Sequence, residues 1–262
     1  MEEEIHRLLG PVSLVGRQIL YFQEIDSTNT YAKMLAGRGG GSGTVVIAGS
    51  QTAGRGRQGR SFQSPSEKGL YLSVLLQLDL PPERLLPVTA LAGVAVCEAV
   101  EAVCGVRPGI KWPNDPVLHG KKICGILTEL TGENAVILGI GINVSQTAED
   151  FTPDVAALAA SLEMLLGHPV SRTALAAALI RRLDRMTAAL LTGDLDGYQA
   201  AYRRDCVNLD KRVQLLSLQG REDALALDVD ERFGLVVRDE AGRVRTVHSG
   251  EVSVRGMYGY VE

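Results

Sequence analysis

The stretch TVVIAGSQTAGRGRQGRSFQSPSEKGLYLSVLLQL, residues 44–78, decides how this chain is to be read. Its two ends, 44–50 and 69–78, are apolar and rich in β-branched and aromatic residues, which predicts two strands. Between them, GRGRQGRS (54–61) satisfies GxGxxG through Gly54, Gly56 and Gly59. It also nearly satisfies GxxxxGK[ST], with Arg60 where the lysine would stand. Both phosphate motifs need a strand before the loop and a helix directly after it. The strand is there, but SFQSPSEKG carries Pro65 and Gly69 and leads into another strand. Without a helix N-terminus there is no dipole and no row of free amides to hold a phosphate. Dinucleotide-binding and P-loop folds are set aside on that ground.

What remains is the arginine spacing. Arg55, Arg57 and Arg60 stand among three glycines within seven residues, and no carboxylate follows before Glu67. Guanidinium groups so close repel one another, and glycine raises the chain entropy. The segment is expected to be mobile alone and to collapse around a polyanion. Arginine suits phosphate because its planar fork donates in pairs and keeps its charge. The plain alternative is a solvated basic surface loop. The position between two apolar strands, at a sheet end where sites form, speaks against it.

The rest of the chain sets the frame. Its 262 residues are 45% hydrophobic and 22% charged, an ordinary globular composition that excludes wholesale disorder. Area scaling has a chain of this size bury roughly 73% of its surface, enough for a core without staples. Lys and Arg number 27 against 31 Asp and Glu, a net charge of −4 that does not suit a dedicated DNA binder. Cys97, Cys104, Cys124 and Cys206 form no CxxC pair, so reduced cysteines in a cytoplasmic protein are expected, with no zinc site. The acidic start MEEEIHRLLG is unlike a signal peptide. The apolar stretch 85–100 contains Glu98 and Thr89, which leaves it short of a membrane span. His6, His119, His168 and His248 lie in separate contexts, with no hydrolase triad in view.

Patterning predicts a strand at 18–25 and a short helix after Asp26, Ser27 and Thr28. A buried helix is expected over 82–104, and strands over 106–113, 122–130 and 135–144. Helices near 154–166, 172–192 and 194–204 follow, with Ser171 and Asp194 as caps. From Lys211 the texture changes to short alternating segments between glycine turns, which predicts a small all-β barrel beginning near 206.

Lys111-Trp112-Pro113-Asn114-Asp115-Pro116 is the second unusual stretch, a strand end that turns sharply and holds the one tryptophan. Lys111 brings a point charge, and Asn114 and Asp115 bring acceptors for a hydroxyl, a metal ion or an amine. Lys122 opens the next apolar strand, with Gly125 just beyond it. A turn with snorkelling lysines is the plain reading of each residue alone. Two basic clusters with a carboxylate near strand ends together suit a reaction at a phosphoanhydride. Gly139 and Gly141 sit in a strand pattern, where glycine marks a bulge or a close backbone approach.

These pieces resemble the biotin–protein ligase family. DSTN (26–29), QTAGRGRQGR (51–60), GLYLS (69–73), KWPND (111–115), KICGILTEL (122–130), GIGIN (139–143) and GEVSVR (250–255) run in family order. The resemblance implies an α+β fold: a mixed β-sheet flanked by helices, related to class II aminoacyl-tRNA synthetases, over residues 1–205. It implies a small SH3-like β-barrel over 206–262. It further implies an ATP-dependent, cytoplasmic biotin–[acetyl-CoA-carboxylase] ligase that uses biotin and MgATP. That enzyme would biotinylate a lysine of a biotin carboxyl carrier protein. By position, Ser27, Thr28, Asn29 and Gln51 correspond to biotin-side residues. Gly54, Arg55, Gly56, Arg57 and Arg60 form the loop at the carboxylate and phosphate, and Lys122 joins them. Gly125, Gly139 and Gly141 line the pocket, Asn143 lies at adenine, and Phe62 replaces the usual tryptophan. Lys111, Asn114 and Asp115 form the catalytic turn, and Arg255 reaches ATP from the barrel. Too little chain precedes the first strand for the winged helix of regulatory members, so no DNA partner is expected; the short apolar stretch leaves no membrane partner expected either. The strand over 135–144 and neighbouring edges leave room to pair two subunits as a homodimer. A lipoate ligase and a biotin-controlled repressor are the competing readings.

Overall fold

Successive side chains of a strand point to opposite faces of its sheet, and here that alternation separates core from site. The computed structural model describes residues 1–132, 135–217 and 220–248, with backbone alone at 58 and 253–256. Helix α1 (Glu2–Leu9) precedes β1 (Ile19–Ile25), α2 (Thr28–Gly37), β2 (Val45–Gln51) and β3 (Gly69–Gln77). A short α3 (Pro82–Leu85) and a long α4 (Val88–Cys104) lead to β4 (Gly109–Lys111), β5 (Asp115–Leu118), β6 (Lys121–Lys122), β7 (Cys124–Thr131) and β8 (Ala135–Asn143). Then follow α5 (Pro153–Ala156), α6 (Leu162–Leu166), α7 (Arg172–Thr192) and α8 (Asp196–Asp205). The main sheet runs β1-β2-β3-β8-β7, so the strand expected to pair subunits, β8, is interior with both edges taken by β3 and β7. Its β1–β2 pair is parallel and the others are antiparallel, so the sheet is mixed, as expected.

On one face, Leu70, Leu72, Val74 and Leu76 of β3 join Val136, Leu138, Ile140 and Ile142 of β8 in the main core. Helices α4 and α7 close that core, and each buried Leu or Ile contributes about 1.5–3 kcal/mol. The segment Pro82–Cys104 is long and apolar enough to cross a membrane, yet most of it is buried inside the fold. On the other face, the end under α2 is apolar, with Ala32 packed among Val46, Leu75 and Ile137. Beyond that patch the same face carries Tyr71, Ser73, Gly139, Gly141 and Asn143 in register.

The structure corrects several expectations. The helix over 82–104 is broken before Val88, because Pro87 has no N–H for the ladder and crowds the preceding turn. The helix over 154–166 is two short pieces. Between them Leu158 and Ala160 bond to the backbone of Lys122, which draws the chain out of helix. Ser171 caps α7 by accepting from Ala174 N–H at 3.2 Å, but Asp194 caps nothing, and α8 begins after Leu195. The strand over 106–113 is limited to β4, and a hairpin of β5 and β6 follows it. His119 and Gly120 both take positive φ there, as a two-residue type I′ turn requires.

The carboxy-terminal part is an antiparallel sheet of β9 (Arg212–Ser217), β10 (Gly220–Val229), β11 (Leu235–Asp239), β12 (Val244–Val247) and β13 (Ser253–Gly256). Its order is β12-β11-β10-β9-β13. Trp112, 1% exposed, joins it to the rest. The Trp112 backbone N–H donates to Asn208 Oδ1 at 2.7 Å, and its indole N–H to the Phe233 carbonyl at 2.9 Å. Tyr202 donates its hydroxyl to the Pro113 carbonyl at 2.8 Å and meets the Phe233 ring edge-on at 5.3 Å. The peptide between Trp112 and Pro113 is cis.

All four cysteines are free. Burial raises their thiols, that of Cys206 to about 11, which keeps them protonated and inert. Asp205, at the end of α8, takes Arg107 Nη2 at 2.7 Å and Arg204 Nε at 2.9 Å. Burial alone would raise its carboxyl, but the hydrogen bonds and charges of the two arginines reverse that and hold it below the usual range. Removing one partner of a buried pair is destabilising. Asp205→Asn is therefore expected to lower stability by about 1.5–3 kcal/mol in urea titrations at pH 7, the scale of hydrogen bonds to a charged group. Because a depressed carboxyl stabilises above its unfolded pKa, the deficit should persist down to about pH 4 and narrow below it.

Candidate active site

The arginine–glycine segment folds as a hairpin. Phe62 N–H donates to the Gly54 carbonyl at 2.9 Å, and Gly56 N–H to the Arg60 carbonyl at 2.7 Å. Its tip is a single tight turn, Arg57–Gly59, and no helix follows before β3, so neither phosphate-loop fold is present. The hairpin lies over the glycines of the sheet. Gly125 and Gly141 face each other across β7 and β8, and the Phe62 ring rests on both. A Cβ at Gly141 would stand 2.5 Å from that ring, and one at Gly125 3.0 Å from it. The Tyr71 ring meets Phe62 edge-on at 6.3 Å.

Beside the ring runs a buried polar chain. Gln51 donates to Ser64 Oγ at 2.8 Å, and its Oε1 accepts from Thr28 N–H at 2.9 Å and Thr28 Oγ1 at 3.1 Å. The Ser73 hydroxyl sits 2.8 Å from Thr28 Oγ1 and 2.6 Å from Asn29 Oδ1, with one proton for the two. Gly139 makes room for Asn29, whose Oδ1 would lie 2.1 Å from a Cβ there. Ser27, 2% exposed, starts α2, and its carbonyl accepts from Tyr31 N–H at 3.0 Å.

Asn29 Nδ2 donates to Glu129 Oε2 at 2.9 Å, while Glu129 Oε1 takes Lys33 Nζ at 2.6 Å and Arg55 Nη2 at 3.1 Å. Burial would raise the Glu129 carboxyl, but the bonds from Lys33 and Asn29 and the nearby cations hold it below the usual range. The local sequence shows no carboxylate for the arginines, yet the fold brings one in from β7. Arg57 meets the KWPND turn, donating from Nη1 to Asn114 Oδ1 at 2.9 Å. Asn114, 2% exposed, is held by its own donation to the Ile126 carbonyl at 2.8 Å. Lys122 Nζ donates to Asp115 Oδ1 at 2.6 Å, and Lys111, buried, pairs in register opposite Asp115.

Two expected residues stand apart. Arg60 is exposed at the hairpin tip. Arg255 pairs through its backbone with Gln214 in β13, and its side chain lies outside the described residues. Asn143 ends β8, buried, and donates to the Ala160 carbonyl at 3.3 Å. The sequence reading missed Ser64, Lys33, Glu129 and Gln146 as partners of these residues. Glu129, an acid on the glycine face of an apolar strand, was the one with a visible signal. Among the described residues, no group of three or more His, Cys, Asp or Glu could hold a metal ion. Asp115 is the carboxylate of the KWPND turn, and Lys122 pairs with it.

A hairpin of arginines over a glycine-floored sheet, next to a lysine–aspartate turn, gathers basic side chains at a strand end. Comparison with known proteins gives it a family. The biotin/lipoate A/B protein ligase family matches residues 21–146. The chain is 34% identical to the biotin–[acetyl-CoA-carboxylase] ligase of Mycobacterium tuberculosis over 90% of its own length and 88% of that protein. It is 31% identical to the bifunctional ligase/repressor of Bacillus spizizenii, over 92% of its own length and 75% of that protein. The structure of the Aquifex aeolicus biotin protein ligase in complex with biotin and ATP superposes with a TM-score of 0.82 at 29% identity. That match covers 92% of this chain and 99% of the other. The chain belongs to the biotin/lipoate A/B protein ligase family.

The glycine floor gives a direct test. Gly141→Ala should force the Phe62 ring away and cost about 1–3 kcal/mol in urea titrations, as overpacking does. In a Phe62→Ala background most of that cost should vanish. An equal cost in both backgrounds would show that the ring does not rest on Gly141.

Proposed function

We propose that the chain joins biotin to ATP as biotinyl-5′-adenylate and then passes the biotinyl group to a lysine of a biotin carboxyl carrier protein, that of acetyl-CoA carboxylase being the default acceptor. The contact of Arg57 with Asn114 carries this reading, because it brings GRGRQGR and KWPND together above the Gly125–Gly141 floor. The names of the relatives support biotin over lipoate.

In the first step a biotin carboxylate oxygen attacks the α-phosphorus of ATP. The bond from that phosphorus to the bridging oxygen breaks, and pyrophosphate leaves with the electron pair. In the second step the carrier amine attacks the acyl carbon, AMP leaves, and the amine sheds its proton. The enzyme must bring together two anions that repel, stabilise charge growing on phosphate, and keep water from the mixed anhydride. Arg55, Arg57 and Lys122 are positioned for the first two tasks. Arg55 is ion-paired with Glu129, Arg57 hydrogen-bonded to Asn114 and Lys122 to Asp115, contacts that a carboxylate or phosphate can replace. Gly54 and Gly56 let the hairpin lie close, Arg60 stands at its tip, and Phe62 gives an apolar cover.

Ser27, Thr28, Asn29 and Gln51 supply the donors and acceptors for the biotin ring system. Asn143 lies at adenine, Lys111 and Asn114 shape the turn, and Arg255 reaches in from the carboxy-terminal part. Mg²⁺ would enter bound to ATP, as part of the substrate. The same reading makes the part from residue 206 an SH3-like barrel, relates the main sheet to class II synthetases, and places the chain in the cytoplasm.

Arg57→Ala should lower biotin-dependent exchange of pyrophosphate into ATP by ~10²–10³-fold, the scale for losing one charge-stabilising donor. Exchange close to that of the unaltered protein would remove Arg57 from the mechanism. Exchange driven by lipoate but not by biotin would reassign the substrate.

A further inference from the structure

Lys33 enters neither step of the reaction above, yet it shares an acid with the arginine hairpin. It stands one helical turn beyond Asn29 in α2, and residues four apart lie on one face of a helix. Both therefore meet the same side chain of β7. Asn29 Nδ2 donates to Glu129 Oε2 at 2.9 Å, and Lys33 Nζ donates to Oε1 at 2.6 Å. Arg55 Nη2 comes to that same Oε1 at 3.1 Å. One carboxylate oxygen thus holds two cations from two different elements. The Glu129 side chain is 17% exposed and that of Lys33 31%, against 44% for Arg55. Lys33 and Glu129 form the more sheltered pair, and the arginine is the member most open to an incoming ligand. Charges partly withdrawn from water act on one another more strongly than in bulk solvent.

The charge count gives Lys33 a role. Burial would raise the Glu129 carboxyl, but the bonds from Lys33 and Asn29 and the charges of Lys33 and Arg55 hold it below the usual range, so it is ionised at neutral pH. With Arg55 alone it would make a neutral pair. An approaching anion would then meet the repulsion of the carboxylate together with the attraction of the guanidinium. With Lys33 present, two cations face one anion, and one positive charge is left over. We propose that Lys33 is a positioning residue that offsets Glu129, so that Arg55 presents its full charge to the carboxylate of biotin. This rests on the placement of Arg55 at that carboxylate made above. Glu129 serves geometry, holding Asn29 and Arg55 to the sheet, and Lys33 cancels the repulsion that comes with it.

The test is calorimetry of the full chain with biotin and with its uncharged alcohol analogue, in which CH₂OH replaces the carboxylate. Lys33→Met keeps the length of the side chain and the helix propensity and removes the charge. It should weaken biotin binding by about three- to twentyfold, the range for one unit charge several ångströms from the ligand at a half-sheltered site. Binding of the alcohol should stay unchanged, and the loss for biotin should shrink at high salt. Lys33→Arg should keep the affinity for biotin. Lys33→Met combined with Glu129→Gln removes one charge of each sign and should recover most of the loss. Equal weakening of biotin and the alcohol in Lys33→Met would overturn the proposal, since Lys33 would then only support α2. So would an unchanged affinity for biotin in that variant, or a double variant that binds biotin no more tightly than Lys33→Met. Failure of the unaltered protein to bind biotin would strike the proposed function itself, and this inference with it.

Discussion

The site depends on one buried carboxamide. Asn114 gives its amide proton to the Ile126 carbonyl, which leaves its oxygen facing the hairpin, where Arg57 takes it. A residue from a turn, a backbone carbonyl from a strand and a guanidinium from a loop are thereby fixed by two hydrogen bonds. The order of donor and acceptor leaves no freedom, because a strand carbonyl can only accept and a guanidinium can only donate. Aspartate at this position would offer the carbonyl a second acceptor, and leucine would leave both partners unmet.

Around that joint, electrostatics keeps the basic residues in place. Arg55 and Lys33 share Glu129, and Lys122 has Asp115. Repulsion among the cations, expected from their spacing, is offset by acids that approach from other elements. Besides Arg55, Glu129 is held by Lys33 and Asn29. Arg55 is also the most exposed of the three cations in these pairs.

Much of this was legible along the chain. The alternation of GLYLSVLLQ and AVILGIGIN already separates an apolar face from one of Tyr, Ser, Gly and Asn. The absence of a helix after GRGRQGRS was legible in Pro65. What could not be read was pairing at a distance. Glu129 reaches Arg55 only because β7 lies beside β8 in a given register, and register is a property of the whole sheet. Gln146 carries no local signal, since its contact with Tyr71 forms only in the folded chain. The hairpin of β5 and β6 was hidden because its strands are short and the His119–Gly120 turn differs from the usual Asn-Gly.

The chain has a single tryptophan, and its indole lies dry between the KWPND turn and the carboxy-terminal sheet. Its fluorescence therefore reports on one junction alone. Blue emission signifies that the two parts are docked. A red shift without loss of the main core signifies that they have come apart, with no second indole to blur the signal.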